Sequence, residues 1–202
     1  MSDEEKKKYQ TLNIEVIHNR KPIKCDLTKY ILICEYIENG NLLSSTLEYL
    51  KDQRNMNPTI RSKIIYGIAS IMKHLHKKNI IHRDLKLEKI LLDEYFEPKI
   101  ICFALSRFIN SSMELEMAIG TPLYMAPETF MDGPETYDLS VDVFSFAIVL
   151  LQMFSNKISL PDHPRVSTKT QYMLLIGKVL RPERPEGIPD HYWDLIQKCW
   201  DQ

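Results

Sequence analysis

Apolar residues recur at intervals of three and four along the longest patterned segment of the chain: Ile60, Ile64, Ile68, Ile71 and Leu75. This spacing places them on one face of an α-helix, and it predicts an amphipathic helix over Thr59 to Lys78. Pro58 suits the start of that helix, because a proline there has no hydrogen bond to lose. Asn79 suits its end, because asparagine tolerates the left-handed conformation that closes many helices.

Other apolar patterns predict a mainly helical protein with few strands. The nearly continuous apolar run from Ser140 to Phe154 predicts a buried helix. Runs rich in branched residues predict a buried strand at Tyr30 to Cys34, and a hairpin from Ile90–Leu92 and Lys99–Cys102. Residues 105–120 are predicted to form a loop. Further helices are expected over residues 3–17, Leu42 to Lys51, Ser167 to Leu180 and Pro189 to Trp200.

Composition narrows the class of protein. The chain has 202 residues, 44% hydrophobic and 26% charged, which is typical of a globular protein with one good-sized core. A formal net charge of -1 argues against nucleic acid or an acidic membrane surface as partner. The longest apolar run, Phe146 to Leu151, is too short to span a bilayer, and because the first residues are charged we expect no signal peptide in them. The four cysteines have no metal-ligand or disulfide spacing, so we expect a cytoplasmic protein.

Three short motifs carry the candidate chemistry. Residues 82–89 read His-Arg-Asp-Leu-Lys-Leu-Glu-Lys, residues 102–104 read Cys-Phe-Ala, and residues 120–128 end in Ala-Pro-Glu. Their order and spacing resemble the catalytic loop, the Asp-Phe-Gly motif and the end of the activation segment of a eukaryotic protein kinase. The resemblance covers residues 28–202 and is strongest to the tyrosine-kinase-like serine/threonine group.

The resemblance implies an α+β fold of the protein-kinase type. Residues 1–34 are expected to be a remnant of the amino-terminal lobe, with a helix and the last strands. Residues 35–202 are expected to form the helical carboxy-terminal lobe, cut before its last helix. No G-x-G-x-x-G or V-A-I-K motif precedes the segment that resembles the hinge, and the first 39 residues contain no glycine.

The resemblance also assigns roles to single residues. Asp84 would orient a substrate hydroxyl, Lys86 would face the γ-phosphate, and Thr121 would bond both of them. The hinge residues Glu35 and Ile37 would meet adenine, with Leu91 beneath it. The residues with expected structural roles are His82, Arg83, Phe103, Glu128 and Asp142. Asp142 would anchor the catalytic loop, and Phe103 would stack on His82 as a core contact. Glu128 would lack the arginine that follows later in the family.

Two positions depart from the pattern at its metal ligands. Lys89 stands where the family has a magnesium-binding asparagine, and Cys102 stands where it has an aspartate. Magnesium takes hard oxygen ligands, so we expect no Mg²⁺ bound in the family's manner and weak ATP binding at most. Lys89 could neutralise phosphate in place of the metal or extend into solvent, and we expect the second.

Four hypotheses follow from these motifs. The first is a pseudokinase that acts by binding a protein partner. The second is a serine/threonine kinase, acting on protein substrates, whose sequence is incomplete. The third is a decayed fragment without a stable fold, and the fourth is a helical adaptor unrelated to kinases. The missing metal ligands favour the first, because losing one preorganised electrostatic contact typically costs about 3–4 kcal/mol of transition-state stabilisation.

Overall fold

The structure is a computed structural model that describes residues 37, 40–51, 56–109, 120–131, 138–155, 168–177 and 181–200. The chain separates into two compact units, Met1–Ile37 and Glu38–Gln202. The predicted helix over residues 3–17 and the predicted strand at Tyr30 to Cys34 lie outside the described residues. The predicted division of the chain at residue 34 stays a prediction.

Helices dominate the second unit, as the sequence predicts. They are α1 (Leu42–Lys51), α2 (Pro58–Lys77), α3 (Glu128–Met131), α4 (Ser140–Phe154), α5 (Lys169–Gly177) and α6 (Asp190–Cys199). The strands are β1 (Ile80–Ile81), β2 (Ile90–Leu92), β3 (Pro98–Ile100) and β4 (Arg107–Phe108). Single 3₁₀ turns cover Leu87–Lys89, Phe103–Leu105 and Pro122–Tyr124.

Helix α2 begins and ends where its local sequence dictates. The Asn57 side chain caps it by accepting a hydrogen bond from the Thr59 backbone N–H at 2.8 Å, and Pro58 occupies the first helical position. Its apolar stripe buries Ile64 and Ile68 completely. After the helix, Asn79 adopts a positive φ of 56°, which turns the chain into β1 and confirms the predicted left-handed stop.

Helix α4 forms the centre of the core. Its predicted bounds, Ser140 to Phe154, are confirmed, and twelve of its fifteen residues are buried. It packs against α2 on one side and against α6 on another, where Ile196 and Trp200 join the same core cluster. A helix with apolar residues on nearly every face is expected to be buried, because each of those faces must pack against other parts of the protein.

Among the described residues, two small antiparallel sheets flank the segment between β1 and β2. Strand β2 pairs with β3 in the predicted hairpin, with Ile90 opposite Ile100, and β1 pairs with β4, with Ile80 opposite Phe108. Gly67 lets α2 lie directly on this hairpin, since a Cβ there would come within 2.5 Å of the Pro98 ring. The sheets thus hold the segment between β1 and β2 against α2.

The structure corrects several sequence-based boundaries. Strand β3 ends at Ile100 and not at Cys102, because Cys102 leaves the extended conformation with a φ of 65°. The segment predicted as a loop from residue 105 contains β4, which is only two residues long and has no strand pattern of its own. The four-residue helix α3 was not predicted, since four residues cannot show a helical period.

Candidate functional site

Asp142 organises the backbone between β1 and β2. Its side chain is 1% exposed and accepts hydrogen bonds from the backbone N–H groups of His82 at 2.8 Å and Arg83 at 2.9 Å. His76 Nε2, from the last turn of α2, lies 3.0 Å from the same carboxylate. Three partners thus satisfy a buried charge, as such a charge requires. The predicted anchoring contact between Asp142 and this loop is present.

The anchored backbone is strained at one residue. Arg83 has a φ of 65°, which is unfavourable for a residue with a side chain. The hydrogen bond from its backbone N–H to the Asp142 carboxylate stabilises this backbone conformation. The Arg83 side chain is also buried and donates from Nε to the Leu105 carbonyl. Gly120 approaches from the opposite segment, where a Cβ would lie 2.8 Å from the Arg83 carbonyl oxygen. These contacts fix the direction in which the next residue, Asp84, projects.

Asp84, Lys86 and Thr121 come together as the resemblance implies. The Thr121 hydroxyl donates to Asp84 Oδ1 at 2.8 Å and accepts from Lys86 Nζ at 2.6 Å. Lys86 Nζ lies 3.3 Å from the same carboxylate oxygen. A carboxylate, a hydroxyl and an ammonium therefore form a closed triangle in which each member holds the other two.

Lys89 lies beside the same aspartate, which overturns the expectation that it extends into solvent. Its Nζ is 4.0 Å from Asp84 Oδ2, and its side chain is only 24% exposed. The 3₁₀ turn Leu87–Lys89 directs it there, and the Lys89 carbonyl accepts a bond from the Ile101 N–H at 2.9 Å. At this distance the Asp84 carboxylate attracts the Lys89 ammonium.

His82 is buried in its neutral form. Its Nε2 lies 3.1 Å from the Ile101 carbonyl, and its Nδ1 accepts from the Asp84 N–H at 3.3 Å, so one ring nitrogen donates and the other accepts. Burial lowers the pKa of this imidazole below its ordinary value, and the charges of Asp142 and Asp84 oppose that shift. The ring is thus a fixed part of the scaffold that carries Asp84.

Phe103 contacts His82 but is not a core residue. The two rings meet edge to face with centroids 5.2 Å apart, as predicted, but Phe103 is 41% exposed. The expected burial of this side chain is therefore wrong. It sits in a 3₁₀ turn directly after Cys102, whose left-handed backbone turns the following residues outward. Cys102 itself is exposed and forms no disulfide.

The remaining predicted site residues are Leu91, Ile37, Glu35 and Glu128. Leu91 on β2 and Ile37 are half-buried, while Glu35 lies outside the described residues. Glu128 begins α3 and is half-buried. Within the part of the chain that the structure describes, no cationic side chain comes within ion-pair distance of it. The predicted roles of Leu91, Ile37 and Glu35 at adenine stay predictions.

Sequence reasoning missed a second buried polar network next to the triangle. The Tyr124 hydroxyl donates to Gln152 Oε1 at 2.7 Å, and the Ser145 hydroxyl donates to the Tyr124 carbonyl at 2.7 Å. Burial, followed by the nearby charge of Glu88, raises the pKa of the Tyr124 phenol. Ser145 and Gln152, two polar residues inside the apolar pattern of α4, could have indicated this network in the sequence. His76, whose partner Asp142 is 66 positions away in sequence, gave no such signal.

The side chains at the two departing positions do not fit a magnesium ion. Mg²⁺ requires oxygen ligands at about 2.0–2.1 Å, whereas Lys89 offers an ammonium and Cys102 a soft thiol. No group of three or more histidine, cysteine, aspartate or glutamate side chains among the described residues could hold a metal.

In the same residues, no helix is long and apolar enough to cross a membrane.

Comparison with known proteins gives one consistent answer. The family model described as "Protein kinase domain" matches residues 3–202. A Dictyostelium discoideum protein, RGS domain-containing serine/threonine-protein kinase A, is 38% identical over 176 residues, which is 86% of this chain and 15% of the relative. A probable LIM domain-containing serine/threonine-protein kinase of the same organism is 32% identical over 173 residues, covering 85% of this chain and 25% of the relative.

A plant protein is also similar. A probable L-type lectin-domain containing receptor kinase of Arabidopsis thaliana is 35% identical over 136 residues, which is 64% of this chain and 21% of the relative. The chain therefore spans a quarter or less of the length of these three curated relatives.

Proposed function

Because this chain belongs to the protein kinase domain family, we propose that it is a catalytically impaired member that acts by binding a protein partner. One observation carries the proposal: Lys89 Nζ lies 4.0 Å from Asp84 Oδ2, at the position where the family has a metal-binding asparagine. An ammonium at that place opposes the approach of a divalent cation. With Cys102 at the second ligand position, both side chains that would hold magnesium are replaced.

The expected loss of rate is large. Phosphoryl transfer is catalysed almost entirely by positioning and by stabilising charge, so it depends on preorganised electrostatic contacts. Removing one such contact typically costs about 3–4 kcal/mol, or 10²–10³ in rate. Two such contacts, the two metal ligands, are changed here. The whole lowering of the activation free energy by an enzyme starts at about 8 kcal/mol. Even with strong non-additivity, efficient turnover is not expected.

The retained scaffold supports a binding role. Asp142 and His82 hold the backbone of residues 82–84 by hydrogen bonds although the family's metal ligands are replaced. A rigid fold of this kind can present a surface to a protein partner without catalysis. The net charge of -1 argues against a nucleic-acid partner. Membership in the tyrosine-kinase-like group, weak ATP binding and a cytoplasmic location complete the proposal.

A second candidate is an active serine/threonine kinase that phosphorylates protein hydroxyls. It is favoured by the triangle of Asp84, Lys86 and Thr121, whose contacts of 2.6 to 3.3 Å are those expected of a base and a phosphate-facing lysine. Several relatives are serine/threonine kinases by name, which agrees with this candidate. Asp84 would then hold the substrate hydroxyl, and Lys86 would balance the charge on the phosphate.

A phosphate-transfer assay separates the two candidates. The purified chain is incubated with radiolabelled ATP, a basic protein substrate and either Mg²⁺ or Mn²⁺. The matched control is Asp84→Asn, which keeps the volume of the side chain and removes its charge. We expect both proteins to transfer label at the background rate. Transfer by the natural chain that disappears in Asp84→Asn would refute impairment and establish the second candidate.

A further inference from the structure

The two departures from the family pattern change the charge of the site by a specific amount. Replacing asparagine by Lys89 adds one positive charge, and replacing aspartate by Cys102 removes one negative charge. Together they raise the formal charge by two, which is the charge of one magnesium ion. We propose that Lys89, with Lys86, forms a metal-independent binding site for the polyphosphate of a nucleotide, in which the Lys89 ammonium takes the place of the divalent cation.

The two ammonium groups lie near the two different oxygens of one carboxylate. Lys86 Nζ is 3.3 Å from Asp84 Oδ1, and Lys89 Nζ is 4.0 Å from Asp84 Oδ2. Asp84 cannot turn away, because Asp142 fixes the loop that carries it and Thr121 holds Oδ1. The Lys86 ammonium is therefore ordered by its hydrogen bond to Thr121 before a ligand arrives, and the Lys89 ammonium lies near the same carboxylate through its ion pair with Asp84.

The Lys89 ammonium retains donors for a ligand. At 4.0 Å its contact with Asp84 is an ion pair and not a hydrogen bond. Among the described residues, no acceptor lies within hydrogen-bond distance of Lys89 Nζ. Its side chain remains 24% exposed, so an incoming phosphate can reach it from solvent. Lysine binds phosphate as a point charge with three rotatable donors, and it needs no fixed approach direction.

The local charge suits an anion and disfavours a dication. Asp84, Lys86 and Lys89 together carry one positive charge in excess, and the carboxylate of Glu88, which acts on the adjacent Tyr124, lowers the positive charge of the wider site. A polyphosphate is attracted to such a site, and Mg²⁺ beside Lys89 is repelled. This inference rests on the proposed function only in taking the loop that carries Asp84, Lys86 and Lys89 as part of the family's nucleotide site. It adds that nucleotide binds there without metal.

Isothermal titration calorimetry on the 202-residue chain tests this directly. ATP is titrated at low ionic strength, once with EDTA and once with excess Mg²⁺. We expect binding in EDTA, and addition of Mg²⁺ should leave the dissociation constant unchanged within about threefold or weaken it. Absence of ATP binding in EDTA, or tightening of tenfold or more by Mg²⁺, overturns the inference.

Two matched substitutions locate the effect at Lys89. Lys89→Asn should weaken metal-free ATP binding about 10- to 100-fold, the usual loss for a charged hydrogen bond. Lys99→Asn makes the same chemical change on β3, where the side chain is 46% exposed and near Asp93, and it should alter binding less than about twofold. Equal effects of the two changes, or none from Lys89→Asn, would refute the assignment.

Ligand fragments show which part of the nucleotide Lys89 contacts. Inorganic tripolyphosphate should bind in EDTA and lose affinity in Lys89→Asn, whereas any binding of adenosine should be insensitive to that change. If Lys89→Asn weakens adenosine as much as ATP, the phosphate contact is disproved. Thermal melts of each variant verify folding before titration.

A reciprocal variant tests the charge argument. Lys89→Asn with Cys102→Asp restores the two ligands of the family and lowers the local charge by two. Its ATP binding should now require Mg²⁺, with at least tenfold tighter binding when the metal is added, and indifference to Mg²⁺ would contradict the charge argument. Phosphate transfer by the natural chain would overturn the proposed function, whereas a requirement for Mg²⁺ in binding alone overturns only this inference.

Discussion

Asp142 is the residue on which the geometry of the loop at residues 82–84 depends. Its carboxylate accepts two backbone N–H groups and faces His76, and it is almost fully buried. Each of these partners would lose a charged acceptor if the carboxylate were removed. A buried N–H group left without an acceptor lowers the free energy of unfolding by more than the net stabilisation that one hydrogen bond provides.

Asp142→Asn should lower the free energy of unfolding by about 3 kcal/mol, because an amide offers one acceptor oxygen where two are used. Urea denaturation followed by circular dichroism measures the change. Asp194→Asn, at an exposed position of α6, is the matched control and should stay within about 0.5 kcal/mol. Similar losses in both variants would show that Asp142 is not the anchor.

His82 makes stability depend on pH in a defined direction. Burial lowers the pKa of its imidazole in the folded state below the ordinary 6.5, so the unfolded chain binds the proton more readily. The stabilising contribution is complete above pH 6.5 and is lost as the pH falls toward the folded-state pKa. Melting temperature should therefore fall between pH 7.5 and 5.5.

The matched comparison for this pH effect is between two histidine variants. His82→Gln should reduce the loss of melting temperature over that range, since the group that takes up the proton is removed. His191→Gln, at an exposed position on α6, should keep the loss of the natural chain. An unchanged pH profile in His82→Gln would contradict the account of the buried ring.

At the scale of single elements, the contact between α2 and the hairpin sets the position of the loop. Gly67 lies in the middle of a 20-residue helix, where glycine costs about 1 kcal/mol relative to alanine. The structure explains its presence, since a Cβ at this position would lie 2.5 and 2.6 Å from two atoms of the Pro98 ring. The ring is rigid and cannot move aside alone.

Gly67→Ala should therefore destabilise the fold by about 1–3 kcal/mol, against the gain in helix propensity. Ser70→Ala, an exposed position of the same helix, should be neutral or slightly stabilising. Pro98→Ala in the Gly67→Ala background should recover part of the loss, which a double-mutant cycle from urea denaturation measures. Stabilisation by Gly67→Ala alone would show that the close contact is not real.

The elements that the sequence predicted are those with a long period or a strong stop signal. Helices α2 and α4 were predicted within one residue at each end, because apolar spacing, Pro58 and Asn79 mark them. The triangle of Asp84, Lys86 and Thr121 was expected because the resemblance to the catalytic loop and activation segment of protein kinases implies these contacts.

What the sequence did not predict depends on three-dimensional contact. The sequence motif does not show in which direction the Lys89 side chain extends. Its position beside Asp84 is known only from the ion pair in the structure. The exposure of Phe103 follows from the left-handed backbone at Cys102, which no local pattern indicates. The contact of His76 with Asp142 joins residues 66 positions apart.

At the scale of the whole molecule, a protein kinase domain retains the scaffold of its catalytic loop while its metal positions hold a lysine and a cysteine. Asp142, His82 and Thr121 keep Asp84 in place. Lys89 supplies positive charge from within the chain. We propose that this domain is folded and binds nucleotide without a divalent metal.

The most direct test is a thermal melt of the 202-residue chain under four conditions: without ligand, with Mg²⁺, with ATP in EDTA, and with ATP and Mg²⁺. Our account predicts one cooperative transition that ATP in EDTA shifts upward and that Mg²⁺ does not shift further, because Lys89 already provides the cation. A shift that appears only when Mg²⁺ accompanies ATP would contradict the account, and absence of a cooperative transition would show that this chain has no stable fold.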